Sequence, residues 1–191
     1  MKVLGIMGSP RIGGNTDLLM DKALDAAQRQ GADVEKIMVS KLDINPCLEC
    51  YGCLEKGHCV QHDDMDDIYP KLLDADVIIV ASPMFFYGIP SQLKALIDRC
   101  QALWVRKYIL NQEPSDSMRN GIFISVGATK GEKLFDGAKM VVNYFFKTIS
   151  VDYADELLVR GVDQSGEIEE HPTALSDAFE LGKRLTGGKL N

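Results

Sequence analysis

The sequence predicts a doubly wound α/β fold, a five-stranded parallel sheet with helices on both faces, from three observations. Short apolar runs rich in β-branched residues end at Gly, Ser or Pro; stretches with helical stripes lie between them; and 191 residues suit one α/β domain with a buried core. Alternation of strand and helix forces right-handed crossovers, and hence a parallel sheet covered on both sides.

The first strand is expected at residues 2–7, where Val3, Leu4 and Ile6 precede Gly8. Leu18, Leu19, Ala23, Ala26 and Ala27 then form a helical stripe that stops at Gly31. A weaker strand follows at 34–39, and a strongly apolar one at 77–81. Leu93, Leu96, Ile97, Cys100, Leu103 and Trp104 mark one further helix, and residues 121–126 the fourth strand. Residues 153–159 add a fifth strand despite their acidic side chains. A last helix carries Leu175, Ala178, Phe179, Gly182 and Leu185 behind Pro172. No repeat or linker interrupts the series, so residues 1–191 read as one domain with a cysteine-rich loop at about 44–62.

A formal charge of -7 gives an extended polyanion little to bind, so no nucleic-acid partner is expected. The chain runs directly into a strand-like segment and no apolar run reaches membrane-spanning length, so no membrane association and a cytoplasmic setting are expected. Four of the five cysteines crowd between positions 47 and 59, a pattern of reduced thiols or metal ligands more than of a disulfide framework.

In a doubly wound sheet, ligands bind beyond the carboxyl ends of the strands, so the segments after each strand are where chemistry is sought. After the first strand come Gly8, Ser9, Pro10, Arg11, Ile12, Gly13, Gly14, Asn15 and Thr16. Backbone N–H groups and the positive end of the helix dipole attract a phosphate there. Ser9, Asn15 and Thr16 add short donors, Arg11 adds charge, and Gly13 and Gly14 let the chain turn closely. A plain strand-to-helix turn capped by Asn15 or Thr16 explains the glycines and leaves Arg11 without a role. The loop has neither the spacing of a dinucleotide fingerprint nor the Lys-Ser/Thr of a P-loop, so a monophosphate such as that of FMN fits best.

After the third strand, Pro83, Met84, Phe85, Phe86, Tyr87 and Gly88 form an aromatic loop where a flavin ring would lie. Taken singly, these aromatics could equally seal the sheet end or form a dimer contact. After the fourth strand, Ser125, Val126, Gly127, Ala128 and Thr129 could line the same cavity, or be no more than a glycine-containing turn. The three loops together carry the reading.

These motifs resemble the NADPH-dependent FMN reductases, and within them the iron-sulfur flavoprotein branch. The marks are Gly8-Ser9-Pro10-Arg11 with Asn15-Thr16, the cysteine run followed by Asp63-Asp64-Met65, and the aromatic loop leading into residues 93–99. The resemblance implies a flavodoxin-like fold in which Ser9, Arg11, Asn15 and Thr16 hold the FMN phosphate. It also implies that Pro83, Met84, Phe85, Phe86, Gly88 and residues Ser125, Val126, Gly127, Ala128 and Thr129 surround the isoalloxazine. Lys94, Asp98 and Arg99 look structural by the same resemblance. Phe85 stands where relatives usually carry tyrosine, so any hydrogen bond from that hydroxyl is absent here.

The spacing C-x2-C-x2-C-x5-C brings Cys47, Cys50, Cys53 and Cys59 together on one loop, which suits the compact geometry of an iron-sulfur cluster, expected here as 4Fe-4S. Zinc is the alternative, although structural zinc commonly uses paired knuckles with a longer spacer. Cys100 lies on an apolar helical stripe and reads as core. His58 and His62 flank the run and read as solvated, His171 sits near a helix start, and no catalytic residue beyond the cofactors is assigned.

The expected activity is electron transfer between the cluster, FMN and an external partner, either a ferredoxin-type donor or NAD(P)H. Two other readings stay open: an NAD(P)H-dependent FMN or quinone reductase whose cysteine loop binds zinc or senses redox state, and a non-catalytic flavin-binding module. A homodimer or dimer of dimers is expected from the resemblance and from the need to cover the cysteine loop.

Overall fold

A computed structural model describes residues 1–112 and 119–186. Five parallel strands, β1 (Lys2–Met7), β2 (Asp33–Met38), β3 (Val77–Pro83), β4 (Asn120–Gly127) and β5 (Asp152–Arg160), form one sheet in the order β2-β1-β3-β4-β5. This is the flavodoxin-like arrangement, with its topological switch point between β1 and β3. Each strand agrees with its expected position to within about two residues, a margin usual for element ends.

Side chains of the central strands alternate between two cores. On one face Leu4, Ile6, Ile78, Val80 and Phe123 pack under α2 (Met65–Asp74), α3 (Ser91–Arg99), α4 (Gln101–Tyr108) and α5 (Asp136–Thr148). On the other, Val3, Met7, Ile79, Ala81, Ile122 and Ile124 are covered by α1 (Asn15–Arg29) and α6 (Ala174–Thr186). Strands buried on both faces explain why β1, β3 and β4 read as continuous apolar runs. Helices α1 and α6 approach so closely that a Cβ at Gly182 would lie 2.1 Å from the Ala23 carbonyl oxygen.

Two differences from the expected helices have local causes. The stripe from Leu93 to Trp104 divides at Cys100, whose N–H bonds the Ile97 carbonyl, three residues back, and so ends α3. Helices α2 and α5 complete the alternation without having been marked individually; Pro70 inside α2 and the carboxylates of Asp66 and Asp67 mask its stripe of Met65, Ile68, Tyr69 and Leu72.

At the end of the sheet remote from the loops, buried Arg119 donates to the Ala75 and Ile149 carbonyls at 2.8 Å each and to the Leu72 carbonyl. A cation there satisfies the last carbonyls of α2 and α5 at their negative dipole ends. On β5 an extra residue, Ala154, shifts register between Gly121 and Ile122, a bulge that disrupts an otherwise regular sheet edge. Among the described residues no helix is long and apolar enough to cross a membrane.

Candidate functional site

All strands being parallel, the loops after β1, β2, β3 and β4 leave the sheet at one end. The loop after β1 is docked by the Gly8 N–H on the Ala81 carbonyl, 2.8 Å away. A Cβ at Gly8 would lie 2.6 Å from Leu93, so the close packing on α3 admits no side chain. Buried Ser9 accepts the Arg11 N–H at 3.1 Å, which keeps its own hydroxyl proton for a ligand. The Arg11 side chain is exposed, and Gly13 adopts φ +68°, a left-handed conformation natural to glycine.

Helix α1 begins behind Gly14, which supplies no side-chain cap, so its first-turn N–H groups present a positive end to an anion. That geometry fits a phosphate monoester. Asp17 was not singled out in the sequence, yet its buried carboxylate accepts the Gly13 N–H at 2.8 Å and pairs with Lys36 at 2.5 Å. The lysine offsets a negative charge that would otherwise oppose phosphate binding. Thr16 is buried in the first turn. Asn15 is engaged as a strut: its amide donates to the Gln164 carbonyl at 2.8 Å and accepts the Ile168 N–H at 3.3 Å. Its expected phosphate contact therefore competes with these two bonds.

The aromatic loop is a tight turn in which Phe85 and Gly88 exchange backbone hydrogen bonds of 3.0 and 2.9 Å. The central residues Phe86 and Tyr87 adopt φ 49° and 61°, the pattern of a type I′ hairpin turn usually given to Asn and Gly. Phe86 is fully exposed, and Phe85 and Tyr87 are more than a third exposed. The Tyr87 carbonyl rests against Gly137 of α5, where a Cβ would come within 2.7 Å. Met84 donates its N–H to Val126 at 2.9 Å and so joins this turn to the loop after β4.

Within that second loop the expected residues divide. Ser125 is wholly buried and donates its hydroxyl to the Ser82 carbonyl at 2.7 Å, and Val126 belongs to the core. Gly127 is buried with its carbonyl accepting the Gly161 N–H, whereas Ala128 and Thr129 are exposed. Pro83, Met84 and Gly88 are half-buried between the two loops.

The cysteine loop is closed at its base by a zipper of side chains. Asp64 and Asp43 exchange two bonds of 2.7 and 3.1 Å, Asp63 accepts the Asn45 and Met65 N–H groups at 3.0 Å each, and Gln61 donates to the Pro46 carbonyl at 3.1 Å. From below, Arg99 donates to Asp63 at 2.5 Å, to the Asn45 carbonyl at 2.9 Å and to the Gln61 carbonyl at 3.2 Å. Burial raises the pKa of Asp63 but is outweighed: the Arg99 guanidinium and the two backbone N–H groups hold the carboxyl below the usual carboxylate range. Arg106 donates to the Gly57 carbonyl at 2.7 Å, and Gly57 has φ +66° with no room for a Cβ against that arginine. The motif Asp63-Asp64-Met65 thus serves as the lock of the loop.

Cys47, Cys50, Cys53 and Cys59 all line one cavity of about 370 Å³, together with Arg99, Gln101 and Ala102 from the α3–α4 corner. Glu49 and Tyr51, on either side of Cys50, adopt φ 51° and 59°; such left-handed residues cost roughly 1–2 kcal/mol each and bend the chain tightly around the cysteine between them. Burial pushes the Cys53 thiol up, and Cys59, Cys47 and Cys50 add to the rise. Among the described residues no three His, Cys, Asp or Glu side chains are grouped closely enough for a single ion. Four soft thiol ligands bordering one cavity have the donor chemistry that an iron-sulfur cluster takes.

Cys100 is buried outside this cavity, donates to the Leu96 carbonyl at 3.4 Å and has its thiol pushed up by burial. Neither exposed histidine lines the cavity: His58 donates Nδ1–H to the Lys56 carbonyl and His62 pairs with Asp66. His171 accepts the Ala174 N–H on Nδ1 at 3.1 Å and so caps α6.

Comparison with known proteins decides the family. Residues 1–147 match the family model described as NADPH-dependent FMN reductase. The chain belongs to that family. It is 38% identical over 191 residues to an iron-sulfur flavoprotein of Methanocaldococcus jannaschii, covering 97% of this chain and 95% of that protein. Among solved structures, a flavone reductase superposes with a TM-score of 0.73 at 22% identity, over 98% of this chain and 62% of that one. An NAD(P)H:quinone oxidoreductase from Methanothermobacter marburgensis gives 0.73 at 14% identity, over 99% and 98% of the two chains. These two likenesses show the fold. As a member of the FMN reductase family, the protein is a flavin-dependent oxidoreductase with FMN as its family's cofactor.

Proposed function

We propose that this FMN reductase family member is an electron-transfer iron-sulfur flavoprotein, moving single electrons between a 4Fe-4S cluster, FMN and an external one-electron protein donor of the ferredoxin type. The observation that carries the reading is the convergence of Cys47, Cys50, Cys53 and Cys59 on one cavity, at the sheet end where the FMN loops emerge. A zinc ion bonds every thiolate at about 2.3 Å and draws the sulfurs to a point, whereas a cluster spaces them on separate irons. Name and sequence likeness to the M. jannaschii iron-sulfur flavoprotein support the same choice.

FMN, when bound, stores one or two electrons and so connects partners of both kinds. The chain's own part is to hold and orient. The first turn of α1 and Arg11 bind the phosphate, and Met84, Phe85, Gly88, Ala128 and Thr129 border the ring. Exposed Cys47 and Cys50 leave the cysteine loop open to a protein donor.

We further propose a homodimer or dimer of dimers. A groove of about 480 Å³ between α4 and α5, lined by Trp104, Met140 and Tyr144 and sharing Asp98 and Gln101 with the cysteine cavity, supports this. The second reading, direct reduction by NAD(P)H, is favoured by the family's name and needs no dedicated pyrophosphate site.

Anaerobic stopped-flow reduction separates the two readings, with wild type compared against a cluster-free, FMN-loaded Cys50→Ala variant and with reduced ferredoxin and NADPH as donors. Electron transfer predicts fast flavin reduction by ferredoxin in wild type and a large loss in the variant. Equal, fast reduction of both proteins by NADPH with no response to ferredoxin would establish the reductase instead.

A further inference from the structure

Arg99 closes α3, and its side chain, like that of Asp63, is withdrawn from solvent, with relative exposures of 0% and 2%. It borders the cavity that is lined by all four cysteines. Its Nη1 and Nη2 groups are taken by Asp63, Asn45 and Gln61 at the two ends of the cysteine loop. Its Nε–H, equally buried, has no acceptor among the described residues. Buried guanidinium donors are ordinarily satisfied, so an unpartnered N–H on a residue that borders a thiol-lined cavity points to an acceptor belonging to whatever the thiols hold. Cysteine sulfur in the thiolate form is such an acceptor, and bonds of this kind are a known means by which a protein sets a cluster's potential.

The tyrosine hydroxyl of Tyr69 fixes the corner further by donating to the Arg99 carbonyl at 2.8 Å. Arg106, the other arginine under the loop, supports the Gly57 carbonyl and does not line the cavity. Mechanical support is therefore shared between two arginines, while cationic charge at the cavity wall comes from Arg99.

We infer that Arg99 is a positioning residue for the cluster: it joins both ends of the cysteine loop, and its Nε–H and charge raise the reduction potential of the group bound by Cys47, Cys50, Cys53 and Cys59. The inference rests on the iron-sulfur reading above. Reduction adds one electron from a one-electron donor and no proton, so the site becomes one unit more negative. Arg99 keeps its proton throughout and stabilises the reduced side. Asp63 acts in the opposite sense, because its carboxylate offsets part of the arginine's charge.

The test is a mediated electrochemical titration of the purified holoprotein, with iron, acid-labile sulfide and FMN measured on the same samples. Arg99→Gln should lower the cluster potential by an amount equivalent to at least a tenfold change in the one-electron equilibrium, about 59 mV. Asp63→Asn should raise it, and Arg99→Lys, which keeps charge and loses the Nε–H, should fall between wild type and Arg99→Gln. A purely structural role would loosen the loop in all three and move their potentials in the same direction, which would overturn the inference, as would fully loaded variants titrating with wild type. If Arg99→Gln fails to retain iron, Asp63→Asn decides: an unchanged or lowered potential overturns the inference, and a raised one supports it. Wild-type protein without iron and sulfide would refute the underlying reading itself, an outcome read from the metal analysis before any potential is compared.

Discussion

The loop after β1 and the loop after β2 leave the same end of the sheet, yet they keep their shapes by different means. The first is set by backbone: Gly8 pressed on Leu93, Gly13 in a left-handed conformation, Gly14 opening α1 without a cap. The second is set by charged side chains from distant elements, with Asp63, Asp64, Arg99 and Arg106 gripping a segment whose own turns at Glu49 and Tyr51 are strained. A backbone-built loop suits an anion recognised by N–H groups, and a stapled loop suits ligands that need four sulfurs held around a space.

This difference can be broken most severely through the cysteines. Alanine at any one of Cys47, Cys50, Cys53 or Cys59 is expected to abolish the cluster while FMN stays bound, because the flavin loops do not depend on that cavity. Cys100→Ala should leave iron content unchanged and lower stability by about 1–2 kcal/mol through a small core void. Iron analysis and chemical denaturation check the set, and loss of iron in the Cys100 variant alone would displace the ligand assignment.

Acid should open the stapled loop before the backbone-built one. The folded Asp63 carboxyl lies below its ordinary range, so the stability it contributes is present above the unfolded value near about 3.9 and is lost as pH falls through the folded value. Pepsin cleavage of iron-free protein within residues 47–59 is expected to accelerate from about pH 4 downward in wild type. In Asp63→Asn it should already be fast at the upper end of that range and change little below it.

Arg11→Ala probes the first loop and should weaken FMN binding by about 1.5–3 kcal/mol, because a charge-assisted phosphate contact is lost without a change in fold. Wild-type affinity in a fluorescence titration at moderate salt would move the phosphate elsewhere. A paired glycine test is subtler. Gly13→Ala meets nothing within 4 Å and carries the left-handed backbone penalty of roughly 1–2 kcal/mol, whereas a Cβ at Gly57 also lies 2.4 Å from Arg106. Gly57→Ala should therefore be the more destabilising of the two in thermal unfolding, and the reverse order would mean that Arg106 does not brace the loop.

What the sequence disclosed follows the range of the interactions. Strands buried on both faces announce themselves through unbroken runs such as residues 77–81, and the cysteine spacing is local, so both were legible. The lock of the cysteine loop was visible only as a motif at residues 63–65, because its partner Arg99 lies 36 positions away. Asn15 reads as a phosphate ligand, and its bond to Gln164, 149 residues distant, adds a role in holding the segment before α6 that no local pattern announces. Asp17 escaped notice because a carboxylate inside an anion-binding loop makes sense only beside Lys36 on β2. Ser125 was expected beside the flavin ring, and its burial within β4, with its hydroxyl donated to the Ser82 carbonyl 43 residues away, is not visible in the local sequence.

Whether the four thiols hold an iron-sulfur cluster in an FMN protein is read from the anaerobic absorption spectrum of freshly purified protein combined with iron, acid-labile sulfide, zinc and flavin analysis. Iron and sulfide in equal amounts alongside FMN are expected, with broad cluster absorbance beneath the flavin bands that is lost on acid treatment. Stoichiometric zinc with no acid-labile sulfide, and a spectrum of flavin alone, would contradict the cluster.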